Sequence, residues 1–253
     1  MESLLSLTNL SAWEFWVCVA VVFLAAIVRG FSGFALSALV MAGLVVILPP
    51  VELIAVCWFL EMAASLLMVR GGIRQWDKTV VFGLVIGSGI GLLPGMYLTK
   101  TLPIETSKSI ALVIILVLAV LQLLKVRAAF LATTPGLYIS GLASGVVAGL
   151  AGVGGLAVAL YVLARDAPAA VMRASLVMYL FIGGLLIFIS LNIYGMFDLQ
   201  AITRGLILAP ICMVGVIAGQ ALFRPKLEPY YKPFCLILLV LLAAAGLLRM
   251  ALV

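Results

Sequence analysis

Histidine does not occur once in the 253 residues. Its absence removes the commonest metal ligand and the usual general base together. Charge is nearly as scarce. Asp, Glu, Lys and Arg make up 9% of the chain, against roughly 25% in a soluble domain. Hydrophobic residues make up 66%, and mean hydropathy is +1.38. That composition cannot cover a water-facing surface, so an all-α polytopic membrane protein is the expected class. A soluble domain, a long polar tail and a low-complexity tract are also missing. Nothing outside the bilayer is large enough to act as a separate machine.

Cysteine is limited to Cys18, Cys57, Cys212 and Cys235, all within apolar blocks, so a disulfide framework is not expected. The net charge of +6 comes from basic residues in short loops rather than a patch interleaved with aromatics. It speaks of topology, and no nucleic-acid partner is expected. The first residues, MESLLSLTNLSAWEFW, lack a basic n-region, so no cleaved signal peptide is expected.

What is present is a series of apolar blocks of spanning length: 53–69, 79–98, 109–124, 171–191, 203–223 and 233–252. The chain also repeats itself. GFSGFALSAL (30–39) aligns with GLAGVGGLAV (149–158), placing Gly30 on Gly149, Gly33 on Gly152 and Pro49 on Pro168 at an offset of 119. GLLPGMYLTK (91–100) aligns with GVIAGQALFR (215–224) at an offset of 124, so Gly91, Gly95 and Lys100 fall on Gly215, Gly219 and Arg224. An ordered set of matches implies two homologous repeats, about 12–127 and 136–253. Each holds a Gly-rich broken or hairpin segment plus three transmembrane helices. If the Gly-rich segment returns to its own side, the copies are inverted. Ten Lys and Arg residues then lie on one face and four on the other, which obeys the positive-inside rule. On that reading loops 70–78, 125–135 and 224–232 are cytoplasmic.

The densest glycine run is GLASGVVAGLAGVGGLAVAL, 141–160, with six glycines and no charge. Gly141, Gly145 and Gly149 share a helix face, as do Gly83, Gly87, Gly91 and Gly95; both stripes read as close helix packing. Gly152, Gly154 and Gly155 are too dense for one face and weaken a helix where they sit. Segment 156–164 is also too short to span, at about 1.5 Å per residue. A hairpin of partial helices over 136–164, with a glycine tip, is therefore expected. Free N–H groups at the start of its second arm favour an anion. A P-loop is excluded, because no Lys-Ser/Thr follows the glycines.

These features, GFSGFALSALVMAGLVVILPP and GLASGVVAGLAGVGGLAVALYVLARDAPAAVMRASL with the three-helix block after each, resemble the TauE/SafE sulfite exporter family of bacterial membrane permeases. The resemblance covers nearly the whole chain. It implies one integral membrane transporter domain over 1–253. The implied function is secondary transport, without ATP, of sulfite or small organosulfur anions across the bacterial inner membrane. Leu156 stands where the family often has another Gly.

Ionisable residues inside spans are rare and functional by default. Glu61 lies near the middle of 53–69 and is a candidate for proton coupling or gating. Arg29 precedes the first glycine motif, where a guanidinium can hold a sulfite or sulfonate bidentately. Arg173 opens the helix after the second motif, with Ser175 close by on its face. The expected substrate-binding set is Arg29, Gly30, Ser32, Gly33, Gly152, Gly154, Gly155, Arg173 and Ser175. Asp77 and Asp198 read as helix N-caps. The partners expected are a small anion and the lipid bilayer; no cofactor or metal is called for, and the oligomeric state is open. The competing classes are a carrier of another small anion and an assembly subunit, which glycine stripes alone would satisfy.

Overall fold

A computed structural model describes residues 7–72, 75–126, 129–165, 168–222 and 228–252. Of the ten residues counted on the basic face, Arg74, Arg127, Arg224 and Lys226 lie outside these. The described regular structure is entirely helical. The helices are α1 (Ala12–Ser32), α2 (Leu36–Leu44), α3 (Pro50–Gly72), α4 (Lys78–Thr101), α5 (Ile104–Leu123), α6 (Thr134–Ala151), α7 (Gly154–Ala164), α8 (Ala169–Ile193), α9 (Leu199–Leu222) and α10 (Glu228–Ala251). Eight are long and apolar enough to cross a membrane, and each of the six apolar blocks read from the sequence overlaps one of them over nearly its whole length. The other two, α2 and α7, are short.

Local chemistry sets the helix starts. Ser11 and Glu14 form a reciprocal capping box on α1, and Thr133 caps α6. Asp77 caps α4 by accepting from Val80 N–H at 3.1 Å, and Asp198 accepts from Leu199 N–H at 2.8 Å. Asp77 thus caps its helix as the sequence indicates, while the Asp198 side chain bonds the first N–H of α9.

Glycine sets the breaks. Helix α1 stops at Gly33 (φ 82°) and α6 stops at Gly152 (φ 68°), both in the left-handed region that terminates helices. After each break the chain turns back. Gly43 of α2 lies beside Val21 of α1, and Gly154 at the head of α7 lies beside Ser144 and Ala148 of α6. Helix α7 returns as far as the 3-10 turn Ala129–Ala132 that precedes α6. The arms are unequal, which amends the expectation of two partial helices. Each outbound helix is of spanning length and only the return arm is short.

Cross-helix contacts show which helix ends lie together. At one end Arg204 of α9 pairs with Glu52 of α3 and donates to Thr8 O at 2.9 Å, while Lys100 of α4 donates to Tyr194 O at 2.5 Å. At the other end Ser175 of α8 accepts from Asp77 N–H at 3.0 Å, and Arg165 lies 3.5 Å from the Asp77 carboxylate. The α1–α2 hairpin opens toward the first end and the α6–α7 hairpin toward the second.

The glycine stripes explain the closest packing. Those of α4 and α6 face each other: a Cβ on Gly87 would sit 2.5 Å from Tyr138 O, and one on Gly141 2.6 Å from Leu84 O. Gly91 and Gly145 are tighter still, so neither helix has room for a methyl group. Helices α1 and α9 meet the same way, Gly30 against Gly219 and Gly215 against Ala26.

Candidate functional site

The two hairpin tips meet at a cavity of about 700 Å³, its mouth included. Ala35, Ser37 and Ala38 line it from the first hairpin, and Gly152 to Leu156 from the second. Helices α3 and α8 close the sides, with Trp58 and Glu61 on one and Tyr179 and Gly183 on the other. Trp58 is held in place by its indole N–H, which donates to Gly184 O at 2.8 Å, and by edge contacts with Phe59 and Phe197.

The first tip is charged. A helix end carries partial negative charge at its C-terminus and partial positive charge at its N-terminus, and the hairpin brings both together. Two guanidiniums serve the negative end of α1. Arg29, fully buried, donates to Gly33 O, and Arg173 donates to Gly30 O at 2.7 Å. A carboxylate serves the positive end of α2: Glu61 Oε1 accepts from Ser37 N–H at 3.3 Å and from Ser37 Oγ at 2.8 Å. Glu61 Oε2 lies 3.3 Å from Arg29 Nη2, a charge pair without hydrogen-bond alignment. Among the described residues, Arg29 Nε and Glu61 Oε2 are buried atoms with no hydrogen-bond partner. Ser65 accepts from Arg29 Nη2 at 3.4 Å.

The second tip is lined by hydroxyl groups and has no charge. Ser144 Oγ donates to Gly154 O at 2.8 Å and lies 2.7 Å from the Tyr179 hydroxyl, which in turn donates to Ser88 Oγ at 3.1 Å. Hydroxyls can rotate between donating and accepting, so this wall can present either to a ligand.

A family model for the sulfite exporter TauE/SafE matches residues 18–246. The chain belongs to the TauE/SafE family. No curated protein matches, and no solved structure matches. Membership makes this a membrane protein of a family that transports sulfite or related anions, and the eight candidate spans agree with that.

Within this TauE/SafE chain the residues singled out from sequence divide into three groups. Glu61, Gly152, Gly154 and Gly155 line the cavity. Arg29, Gly30, Gly33 and Arg173 gather at the first tip behind it. Arg173 reaches there from the second half of the chain, its Cγ 2.9 Å from where a Gly33 Cβ would be. Ser32, at the first tip, and Ser175, at the second end of the bundle, each have a hydroxyl that is already committed. Ser32 Oγ is taken up by Val28 O and Phe34 O at 2.7 and 2.9 Å, and Ser175 by Asp77 N–H.

Two details of the sequence reading change. Glu61, read from the sequence without a named partner, faces Arg29. The tip glycines were expected to leave space for a ligand, yet a Cβ on Gly154 would strike Ala148 Cβ at 2.9 Å and one on Gly155 would strike Leu180 at 2.9 Å. Their bareness lets α7 lie against α6 and α8. Ser37, Ser88 and Ser144 were missed. Only Ser37 gave a signal, as a hydroxyl residue just after a helix break.

Proposed function

We propose that the protein is a secondary transporter, an exporter in the bacterial inner membrane, that moves sulfite or a small organosulfur anion through the cavity between the two hairpin tips. The observation that carries this reading is the meeting of two broken, glycine-terminated hairpins from opposite ends of the bundle at one partly polar cavity. Broken helices at mid-depth are tolerated where they line such a space, and they supply helix ends to an ion. Arg29 and Arg173 make the first tip attractive to an anion, and Glu61 is the proton-exchanging group. The glycine backbone of 152–155 and the hydroxyls of Ser37 and Tyr179 complete the lining.

An inverted duplication, about 12–127 and 136–253, belongs to the same proposal. Its support is a set of reciprocal contacts. Gly30 meets Gly219 while Gly149 meets Gly95, and Gly33 meets Arg173 while Gly152 meets Ile54. Shifting each first-half residue by 119, or by 124 on α4, turns one contact of a pair into the other. The excess of basic residues then puts the end that carries Asp77 and Arg165 in the cytoplasm.

The test is uptake of radiolabelled sulfite by liposomes containing the purified protein, with an imposed pH gradient. Sulfite movement above that of empty liposomes, stimulated by the gradient, is expected. No movement of sulfite or of methanesulfonate under any gradient sinks the reading.

A further inference from the structure

We propose that the N-terminus of α2 and the Arg29 guanidinium form an oxyanion site that the Glu61 side chain occupies in this structure. A transported anion enters it as Glu61 takes up a proton and withdraws. This rests on the transport reading above and specifies where the anion sits and how a proton is coupled to it.

The donors define the site. Ser37 N–H, Ser37 Oγ–H and Arg29 Nη2 all face the Glu61 carboxylate, at 3.3, 2.8 and 3.3 Å. Such donors serve any oxyanion, since carboxylate, sulfite and sulfonate make the same demand for N–H, O–H and guanidinium partners. The cavity reaches the place directly, because Ser37 and Glu61 both line it. One donor remains unused. Among the described residues Arg29 Nε is buried with no hydrogen-bond partner, and a three-oxygen anion offers one more acceptor than the two-oxygen carboxylate it replaces. The second tip has no counterpart: at the offset of 119, Ala148 stands for Arg29 and Leu180 for Glu61.

Occupation by both anions is unfavourable, because two negative charges cannot share one set of donors at low dielectric. Protonating Glu61 removes the repulsion and frees the donors together. By linkage, anion binding and proton binding to Glu61 then favour each other. One proton settles on a Glu61 carboxylate oxygen for each anion bound and leaves when the anion does, so a monoanion and its proton cross without net charge. Among the described residues the other titratable or charged groups around the pair are few. They are Cys57 on α3 itself, Cys212 on α9, and, from α8, Arg173 at the tip and Tyr179 across the cavity.

The test is sulfite binding to purified protein in nanodiscs from roughly pH 6 to pH 8, for wild type and Glu61→Gln. Taking the ratio of the two dissociation constants cancels sulfite's own titration. That ratio is expected to rise about tenfold per pH unit wherever Glu61 is ionised. Parallel profiles overturn the proposal. If Glu61→Gln fails to fold, wild type alone decides. Calorimetry in two buffers of different ionisation heat counts the protons, and one proton per anion beyond sulfite's own share is expected. No extra proton overturns the proposal. Wild type that neither binds nor moves sulfite is a different failure, that of the transport reading itself.

Discussion

Gly183 is buried, yet a Cβ placed on it would meet only the ring of Tyr179, at 4.0 Å, an ordinary van der Waals distance. It also lines the cavity, so the open space beside it is the space proposed for the anion. Adding side chain here should separate folding from transport. On stability, Gly183→Ala removes a glycine from the interior of a helix, a gain of up to about 1 kcal/mol where nothing clashes. On transport, the methyl group of Ala, and far more the branched side chain of Leu, takes room from the ligand. Gly145 on α6 is the control. There a Cβ would lie 2.8 Å from Leu92 N and closer still to Ser88 O, both backbone atoms that cannot swing aside. Forcing α4 and α6 apart is an overpacking cost of about 1–3 kcal/mol, larger than the propensity gain. The assays are thermal denaturation in detergent, followed by size exclusion, and sulfite uptake by liposomes. Gly183→Ala should melt at or above the wild-type temperature and transport more slowly, and Gly183→Leu should lose at least about tenfold in uptake, near one RT ln 10 of binding. Gly145→Ala should melt lower, with the fraction that folds still transporting. Unimpaired transport by well-folded Gly183→Leu would refute the cavity as the route. Equal destabilisation by Gly183→Ala and Gly145→Ala would refute the assignment of open space.

Further outcomes follow from other contacts. Glu52→Gln leaves the buried Arg204 guanidinium without its charge partner and should cost about 3–5 kcal/mol of stability, read as a large loss of folded yield; a wild-type melting temperature would show that the pair is dispensable. Gly152 holds φ 68° with its missing Cβ at ordinary contact distance from Ile54 and Met41. Gly152→Val should therefore destabilise by roughly 1–2 kcal/mol and Gly152→Asn by less, since Asn tolerates the left-handed region; the reverse order would place the cost in packing. Single cysteines at Lys78 and Arg165 should resist an impermeant thiol reagent applied to intact cells, while one at Glu105 should react. Ready labelling of the first two would reverse the proposed orientation.

Much of this was legible from residues because the bilayer allows few solutions. Hydropathy fixes where a chain can cross, and the apolar blocks became helices. Glycine spacing marked the packing faces and the two breaks. Spacing could not say which stripe meets which, nor whether a bare Cα faces a ligand or a neighbouring helix. Gly154 and Gly183 show the difficulty. Both are glycines beside the cavity, and only the built neighbours reveal that the first is closed by Ala148 while the second is open. Arg204 was counted as a loop cation; the structure buries it against Glu52 and Thr8. Arg29 and Glu61 were read separately, 32 residues apart on different helices. A cue was available. Two opposite charges inside apolar spans are each costly alone, so their pairing is the first arrangement to consider.

That pairing is also where the two halves part company. On the proposed duplication both tips share a backbone plan, a left-handed glycine followed by a short returning helix. Two identical tips would offer an anion two equivalent places and no reason to move between them. Here one tip holds two guanidiniums and a carboxylate and the other holds only hydroxyls and glycine. An anion entering from the hydroxyl side meets weak neutral donors, which neither trap it nor require a proton. On the proposed mechanism, only at the charged tip does binding demand that Glu61 be neutralised. The asymmetry would then confine proton coupling to one step of the passage. If Leu180→Glu supplied the second tip with a carboxylate of its own, that tip should acquire a proton dependence too, and sulfite binding should become steeper in pH than in wild type. An unchanged slope in well-folded Leu180→Glu would show that the tips are not equivalent scaffolds, and the argument from duplication would lose its footing.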